Sequence, residues 1–137
     1  MRRWSKDLTK GEKGETMLLR WFGGKNGFND LLINAEIKNT WHGGKITIEE
    51  DSIIEKGKKG WLYTTKADCV IFVDYENEQA IAVETSELRN RYMKIKEKYE
   101  LFTQKTEQAG EIWTSTHRCI PINQFCHVFL RHYERIY

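Results

Sequence analysis

The chain has 137 residues, of which 39% are hydrophobic, 31% charged and 12% aromatic, a composition that fits one globular domain and argues against a disordered chain. At that length a domain buries roughly two thirds of the surface its unfolded chain exposes, so neither disulfides nor a structural metal is needed to hold it. Lys and Arg number 22 against 20 Asp and Glu, leaving +2, too little for whole-molecule charge to announce a nucleic-acid binder.

Taken in chain order, Glu12–Phe22 places Met17, Leu18, Trp21 and Phe22 at helical spacing and stops at Gly23-Gly24, which predicts an amphipathic helix. From Asp30 the pattern changes to period two. Asp30, Leu32, Asn34, Glu36 and Lys38 fall on one face and Leu31, Ile33, Ala35 and Ile37 on the other, as in one strand or two short ones. Thr40–Lys45 reads as a turn and Lys45–Glu50 as a second alternating strand, which is expected to pair with the first as a hairpin. Lys56–Gly60 is a basic, glycine-punctuated loop.

Cys69–Val73 has the short β-branched look of a buried strand, and Ala80–Glu84 returns as its hairpin partner after a turn at Asp74–Gln79. Ser86–Gln104 carries Leu88, Tyr92, Ile95, Tyr99 and Phe102 at spacings of four, three, four and three, the clearest helical pattern in the chain. Ile112–Trp113 and Arg118–Ile122 read as late extended segments, and Gln124–Tyr133 as a short helix-like tail. The order predicts a mixed α+β, or α/β, fold.

Some classes of function are disfavoured directly. Cys69, Cys119 and Cys126 match no zinc spacing, so a reduced, cytoplasmic protein is expected. The longest apolar run is far too short for a bilayer span, and the polar stretch Met1–Lys13 has no signal-peptide centre, so no membrane partner is expected. No GxxxxGK[ST] loop and no HExxH motif occurs, which argues against an NTPase and a zinc protease. His42, in the turn after the first strand, is the one histidine placed to approach a phosphate.

Asp30, Glu36 and Lys38 carry the chemistry. On a strand their shared parity projects two acids and a lysine together. Carboxylates so placed suit a hard divalent cation through oxygen ligands, and a neighbouring lysine can orient a water and offset charge on a phosphorane-like transition state. The ordinary alternative is a solvated strand face bearing an acid and a lysine.

Together with GEKGE (Gly11–Glu15), ND (Asn29-Asp30), AEIKN (Ala35–Asn39), ITIEED (Ile46–Asp51) and TTKADCVIFV (Thr64–Val73), this set resembles the PD-(D/E)XK nuclease superfamily, small phage and bacterial enzymes of the restriction-endonuclease-like fold. The resemblance covers about half the chain, and the pieces occur in family order. It implies a single nuclease-like domain over 1–137, with a central mixed sheet flanked by helices.

It further implies a Mg2+-dependent deoxyribonuclease, with Mn2+ as a substitute, acting as an endonuclease or an exonuclease. Asp30, Glu36 and Glu15 would hold the metal with the Ile37 carbonyl, and Lys38 would serve the nucleophilic water. One metal requires a bend between Asp30 and Lys38, since a fully extended strand would separate them by ~26 Å.

DNA is the implied partner. Lys56, Lys58, Lys59, Lys66, Arg89 and Arg91 are candidate contacts to it. By analogy with members that cut two strands as dimers, a homodimer is expected, in the host cytoplasm if the chain is phage-encoded. The alternative is a non-catalytic nucleic-acid-binding or inhibitory protein on the same fold.

Overall fold

The computed structural model describes residues 34–130; the expected helix Glu12–Phe22 and the site residues Glu15 and Asp30 lie outside the described residues. In chain order the elements are β1 (Ala35–Lys38), β2 (Trp41–His42), β3 (Lys45–Ile53), β4 (Lys58–Lys59), α1 (Trp61–Thr64), β5 (Cys69–Asp74), β6 (Gln79–Glu84), α2 (Thr85–Ile95), β7 (Phe102–Gln108), β8 (Glu111–Pro121) and β9 (Val128–Leu130). The fold is mixed α+β. Among the described residues no helix is long and apolar enough to cross a membrane.

The strands form two sheets rather than one central sheet. One has the order β1-β5-β6-β9, and the other β2-β3-β8-β7 with β4 alongside β3. In the first, β1 runs parallel to β5 while the remaining pairs are antiparallel. The expected hairpin between the Glu36 strand and the Lys45 strand therefore does not form. β3 instead turns back on the two-residue β2, across Gly43 and Gly44 at φ +56° and +77°. Those angles suit the tight hairpin turn and would strain any residue with a Cβ.

Local sequence explains the central hairpin. β5 (CVIFVD) is buried from Val70 to Asp74, and apolar residues on both faces are what an interior strand needs. At its turn the Asp74 carboxylate accepts hydrogen bonds from the Asn77 N–H (3.3 Å), Asn77 Nδ2 (2.7 Å) and Gln79 Nε2 (3.2 Å). A short acid bonding to its own loop in this way is the reason Asp favours turns.

Helix α2 buries Leu88, Tyr92 and Ile95. Their spacing puts all three on one face, against a core that also holds Ile46 and Ile48 of β3, Phe72 of β5 and Ile120 of β8. Both sheets thus share one core, and each such aliphatic or aromatic side chain, once buried, stabilises it by roughly 1.5–3 kcal/mol. A smaller cluster of Ile71, Val73 and Ala80 occupies the opposite face of the first sheet, with Ile37 packed on it.

Three expectations about the second half are corrected. The helical pattern expected to reach Gln104 ends at Ile95, followed by a 3₁₀ turn, Lys96–Lys98; Tyr99 is extended and Phe102 opens β7. Pairing with β8 overrides the local pattern there, as sheet contacts commonly do. The two late segments are one strand, β8, whose length is set by its partners β3 and β7. The part of the helix-like tail within the described residues, up to Leu130, is instead the end of a 3₁₀ turn at Ile122–Gln124 and the strand β9, which adds Val128–Leu130 to the edge of β6; the rest of it lies outside the described residues.

Gly60 allows a close approach. It precedes α1, its N–H donates to the Glu50 carbonyl (2.9 Å), and a Cβ added there would overlap the Glu49 carbonyl. Gly60→Ala is expected to destabilise the fold by about 1–3 kcal/mol or more, because the obstacle is backbone. The midpoint of urea unfolding is the measurement.

Candidate functional site

Glu36 and Lys38 sit on β1, in register with Val70 and Phe72 of β5. Alternation therefore turns both side chains toward the face that carries those two core residues. β1 is the last strand of its sheet among the described residues, so the pair lies at a sheet edge, with the Lys38 and Glu36 side chains 26% and 37% exposed. Lys38 Nζ is 3.5 Å from Glu36 Oε1 and 4.9 Å from the centre of the Trp61 ring. Trp61 in turn meets Phe72 edge to face at 6.0 Å. A carboxylate and an ammonium are thus side by side and partly exposed, with the Trp61 ring against the ammonium.

The backbone adds a donor. The Asn34 carbonyl accepts the N–H groups of Asp68 (2.9 Å) and Cys69 (3.3 Å). By alternation along a parallel ladder, the carbonyls of Asn34 and Glu36 point toward β5 and that of Ile37 points away from it. The Glu36 carboxylate and the Ile37 carbonyl are both hard oxygen donors, the type magnesium takes. Among the described residues no group of three or more His, Cys, Asp or Glu side chains could hold a metal ion. Glu15 and Asp30, expected to complete such a set, lie outside those residues.

The same bonds bring the Thr64–Asp68 stretch beside the start of β1. Lys66 is exposed there and lines a hollow of about 380 Å3 with Asp68, Glu84, Ser86 and Arg89. The expected basic contacts divide. Lys59 pairs with Asp51 at 3.2 Å and lies 5.8 Å from the Tyr63 ring, one α1 neighbour away from Lys38 and Trp61. Lys58 is exposed on β4. Lys56 is directed elsewhere, over Trp113 of β8 at 4.8 Å.

Arg89 and Arg91 have structural partners. Arg89 donates to the carbonyls of Leu62 (3.1 and 3.0 Å) and Thr65 (3.2 Å), and Arg91 to the Gln124 carbonyl (3.0 Å) and Oε1 (3.2 Å). Their guanidinium groups tie α2 to the loops on either side. Of the expected contacts, Lys58, Lys59 and Lys66 are exposed lysines between β3 and β5, whereas Arg89 and Arg91 on α2 are engaged with backbone carbonyls.

Two groups are not legible as site features in the sequence. Trp61 and Tyr63 form an aromatic strip carrying Lys38, Lys59 and Lys96 at 4.9–5.9 Å from ring centres. Aromatic residues directly after a KGKKG loop are the signal available, since basic residues interleaved with rings mark nucleic-acid surfaces.

The other group is buried. Glu50 Oε1 accepts from Arg118 Nη1 (2.8 Å), Lys96 Nζ (3.0 Å) and the Tyr92 hydroxyl (3.2 Å), and Arg118 Nη1 also donates to the Tyr92 oxygen (2.9 Å). Burial alone would push the Glu50 carboxyl up. The neighbouring Tyr63 hydroxyl, Lys96 and Arg118 outweigh it and hold the group at about 2. Burial also pushes the Tyr92 hydroxyl up to about 12, so it remains a donor across the working pH range.

Comparison of the chain with protein-family models, with curated proteins and with solved structures gives no match.

Proposed function

We propose that this protein is a divalent-metal-dependent deoxyribonuclease on a restriction-endonuclease-like core. The single observation that carries the reading is the Glu36–Lys38 pair, 3.5 Å apart on a half-buried strand that is the sheet edge among the described residues, beside the Thr64–Asp68 segment. The parallel β1–β5 arrangement supports it, because it sets the E-x-K strand next to the T-T-K-A-D stretch that follows it in family order.

Magnesium or manganese, when bound, would polarise a phosphate oxygen and lower the pKa of a water. Glu36 and the outward Ile37 carbonyl are the described residues that would hold it. Lys38, with its charge kept beside a carboxylate, would orient the attacking water and stabilise the developing negative charge. Trp61 shields one side of the pair from bulk solvent, which strengthens those interactions. Lys59 and Lys66 would hold the DNA backbone, and such contacts make affinity fall with salt.

The test is a cleavage panel of linear, nicked, flapped and four-way DNA, with EDTA, magnesium and manganese as separate arms. Cutting that requires the metal is the expected result. DNA that is retained but never cut under any divalent ion overturns the catalytic reading in favour of a binding module.

A further inference from the structure

Two of the sheet edges near β8 are treated very differently. Where β8 outruns β3, the Glu55 carboxylate takes over the free edge, accepting the Thr114 N–H at 2.7 Å and its hydroxyl at 2.6 Å. Among the described residues β7 has no such cover: it is the last strand of its sheet there, all seven of its residues are exposed, and its register with β8 is unbroken from Phe102–His117 to Gln108–Glu111. It has no proline and no bulge, two of the devices by which proteins blunt open edges, and its charges, Lys105 and Glu107, are of opposite sign, so they repel a copy in some registers and attract it in another.

The turn fixes which backbone groups that edge offers. Ala109 and Gly110 both have positive φ, 52° and 81°, as a two-residue type I′ hairpin requires. Gln108 and Glu111 are then a hydrogen-bonded pair, and alternation makes Thr106–Trp113 and Gln104–Ser115 the next two. Thr103, Lys105 and Glu107 accordingly point their N–H and C=O groups outward. Two contacts agree: Thr114, opposite Lys105, aims its N–H away from β7 at Glu55, and the Ser115 hydroxyl donates to the inward Gln104 carbonyl (3.4 Å).

An antiparallel partner strand of identical sequence must match these outward residues among themselves. One kind of register, centred on Lys105 or on Glu107, sets that residue against its own copy, with like charges opposed. A second sets Lys105 against Thr103 and Glu107 against Leu101. The third places a two-fold axis at Thr106, so that Lys105 faces Glu107 and Glu107 faces Lys105. Both side chains then lie on one face, and opposite charges directly across strands are favourable while like charges are not. Neither residue makes an ion pair among the described residues; Lys105 only feels the charge of Glu55, whose oxygens Thr114 already occupies.

We propose that β7 is a homotypic docking edge: it pairs antiparallel with β7 of a second copy of this chain, centred on Thr106. Lys105 and Glu107 exchange four ladder hydrogen bonds and two ion pairs with the copy. The pairing is isologous and so closes as a dimer rather than growing into a filament. It does not rest on the nuclease reading.

Charge exchange tests the edge and the register together. Lys105→Glu and Glu107→Lys are exposed substitutions that leave circular dichroism unchanged. Sedimentation equilibrium over a concentration series is expected to show dimer for the unaltered chain and association weakened on the order of tenfold in each variant. An equimolar mixture of the two variants is expected to restore it, since the acid introduced at position 105 of one chain then meets the lysine introduced at position 107 of the other. A chain that stays monomeric throughout, variants that dimerise as well as the parent, or a mixture that fails to recover would each overturn the proposal.

Discussion

Glu36→Ala and Lys38→Ala are each expected to lower metal-dependent DNA cleavage by about 10^2- to 10^4-fold, the range for removing a positioned acid–base or charge-stabilising group. Stability should hardly change. The two side chains are 37% and 26% exposed and pair at 3.5 Å, and such pairs contribute roughly 0–1 kcal/mol. DNA binding should also survive, because Lys59 and Lys66 remain. Cleavage rate, gel-shift affinity and melting temperature on the same preparations separate a chemical role from a structural one. Cutting that persists in both variants would remove the pair from the mechanism.

Replacing Arg118 has the opposite profile. Arg118→Met is expected to destabilise the fold by about 3–5 kcal/mol, because it leaves the buried Glu50 carboxylate short of its nearest cation. Arg118 is 7% and Glu50 6% exposed, so water cannot make good the loss. Lys96 still reaches Glu50 at 3.0 Å, which argues for the lower half of that range. Glu50 belongs to β3, Arg118 to β8 and Tyr92 to α2, so the damage should appear as one cooperative loss of the shared core.

The pH dependence has a definite sign. The Glu50 carboxyl is held at about 2 against an ordinary value of 4.5, so its contribution is complete above 4.5 and is lost as pH falls toward 2. The difference corresponds to roughly 3 kcal/mol. Urea midpoints measured between pH 5 and pH 2 should fall steeply for the parent chain and less steeply for Arg118→Met. A variant that tracks the parent at every pH would show that the charge cluster contributes little.

Elements whose pattern is local are legible in the sequence. The β5–β6 hairpin reads from a β-branched run, a turn acid and a second run, and Leu88, Tyr92 and Ile95 mark the buried face of α2. Which strands pair is not legible. Proximity in the chain puts the Glu36 strand beside the Lys45 strand, yet it lies in the other sheet, parallel to β5. Nothing within a strand states its partner, and a parallel partner is by nature distant in the chain.

The candidate site is legible in the same measure. Glu36 and Lys38 follow from strand parity, and the structure keeps them together. For Trp61 the sequence offers only its position directly after the KGKKG loop, because its place beside Lys38 depends on the β1–β5 pairing. Arg89 and Arg91 look like surface cations, since a helix face alone does not reveal that Leu62, Thr65 and Gln124 present carbonyls to them. Glu50 and Arg118 are far apart in sequence and look like ordinary surface charges until β3 and β8 pair.

The parallel pairing of β1 has a consequence for how the molecule assembles and loosens. Everything from Asn39 to Asp68, including β2, β3, β4 and α1, lies in the connection between the two parallel strands. That loop must close before the ladder can form, and its closure entropy is repaid by only four residues of strand. The hairpins of the second sheet close far shorter loops. The still longer β3–β8 connection is repaid by a ladder running from Lys45–Pro121 to Asp51–Thr116, whereas β1 returns only its short ladder, so β1 is expected to open more readily than β3 or β8. Catalytic groups on such a segment would be assembled and released without unfolding the core, so a DNA strand bound across β1 would act as the clasp that holds it shut.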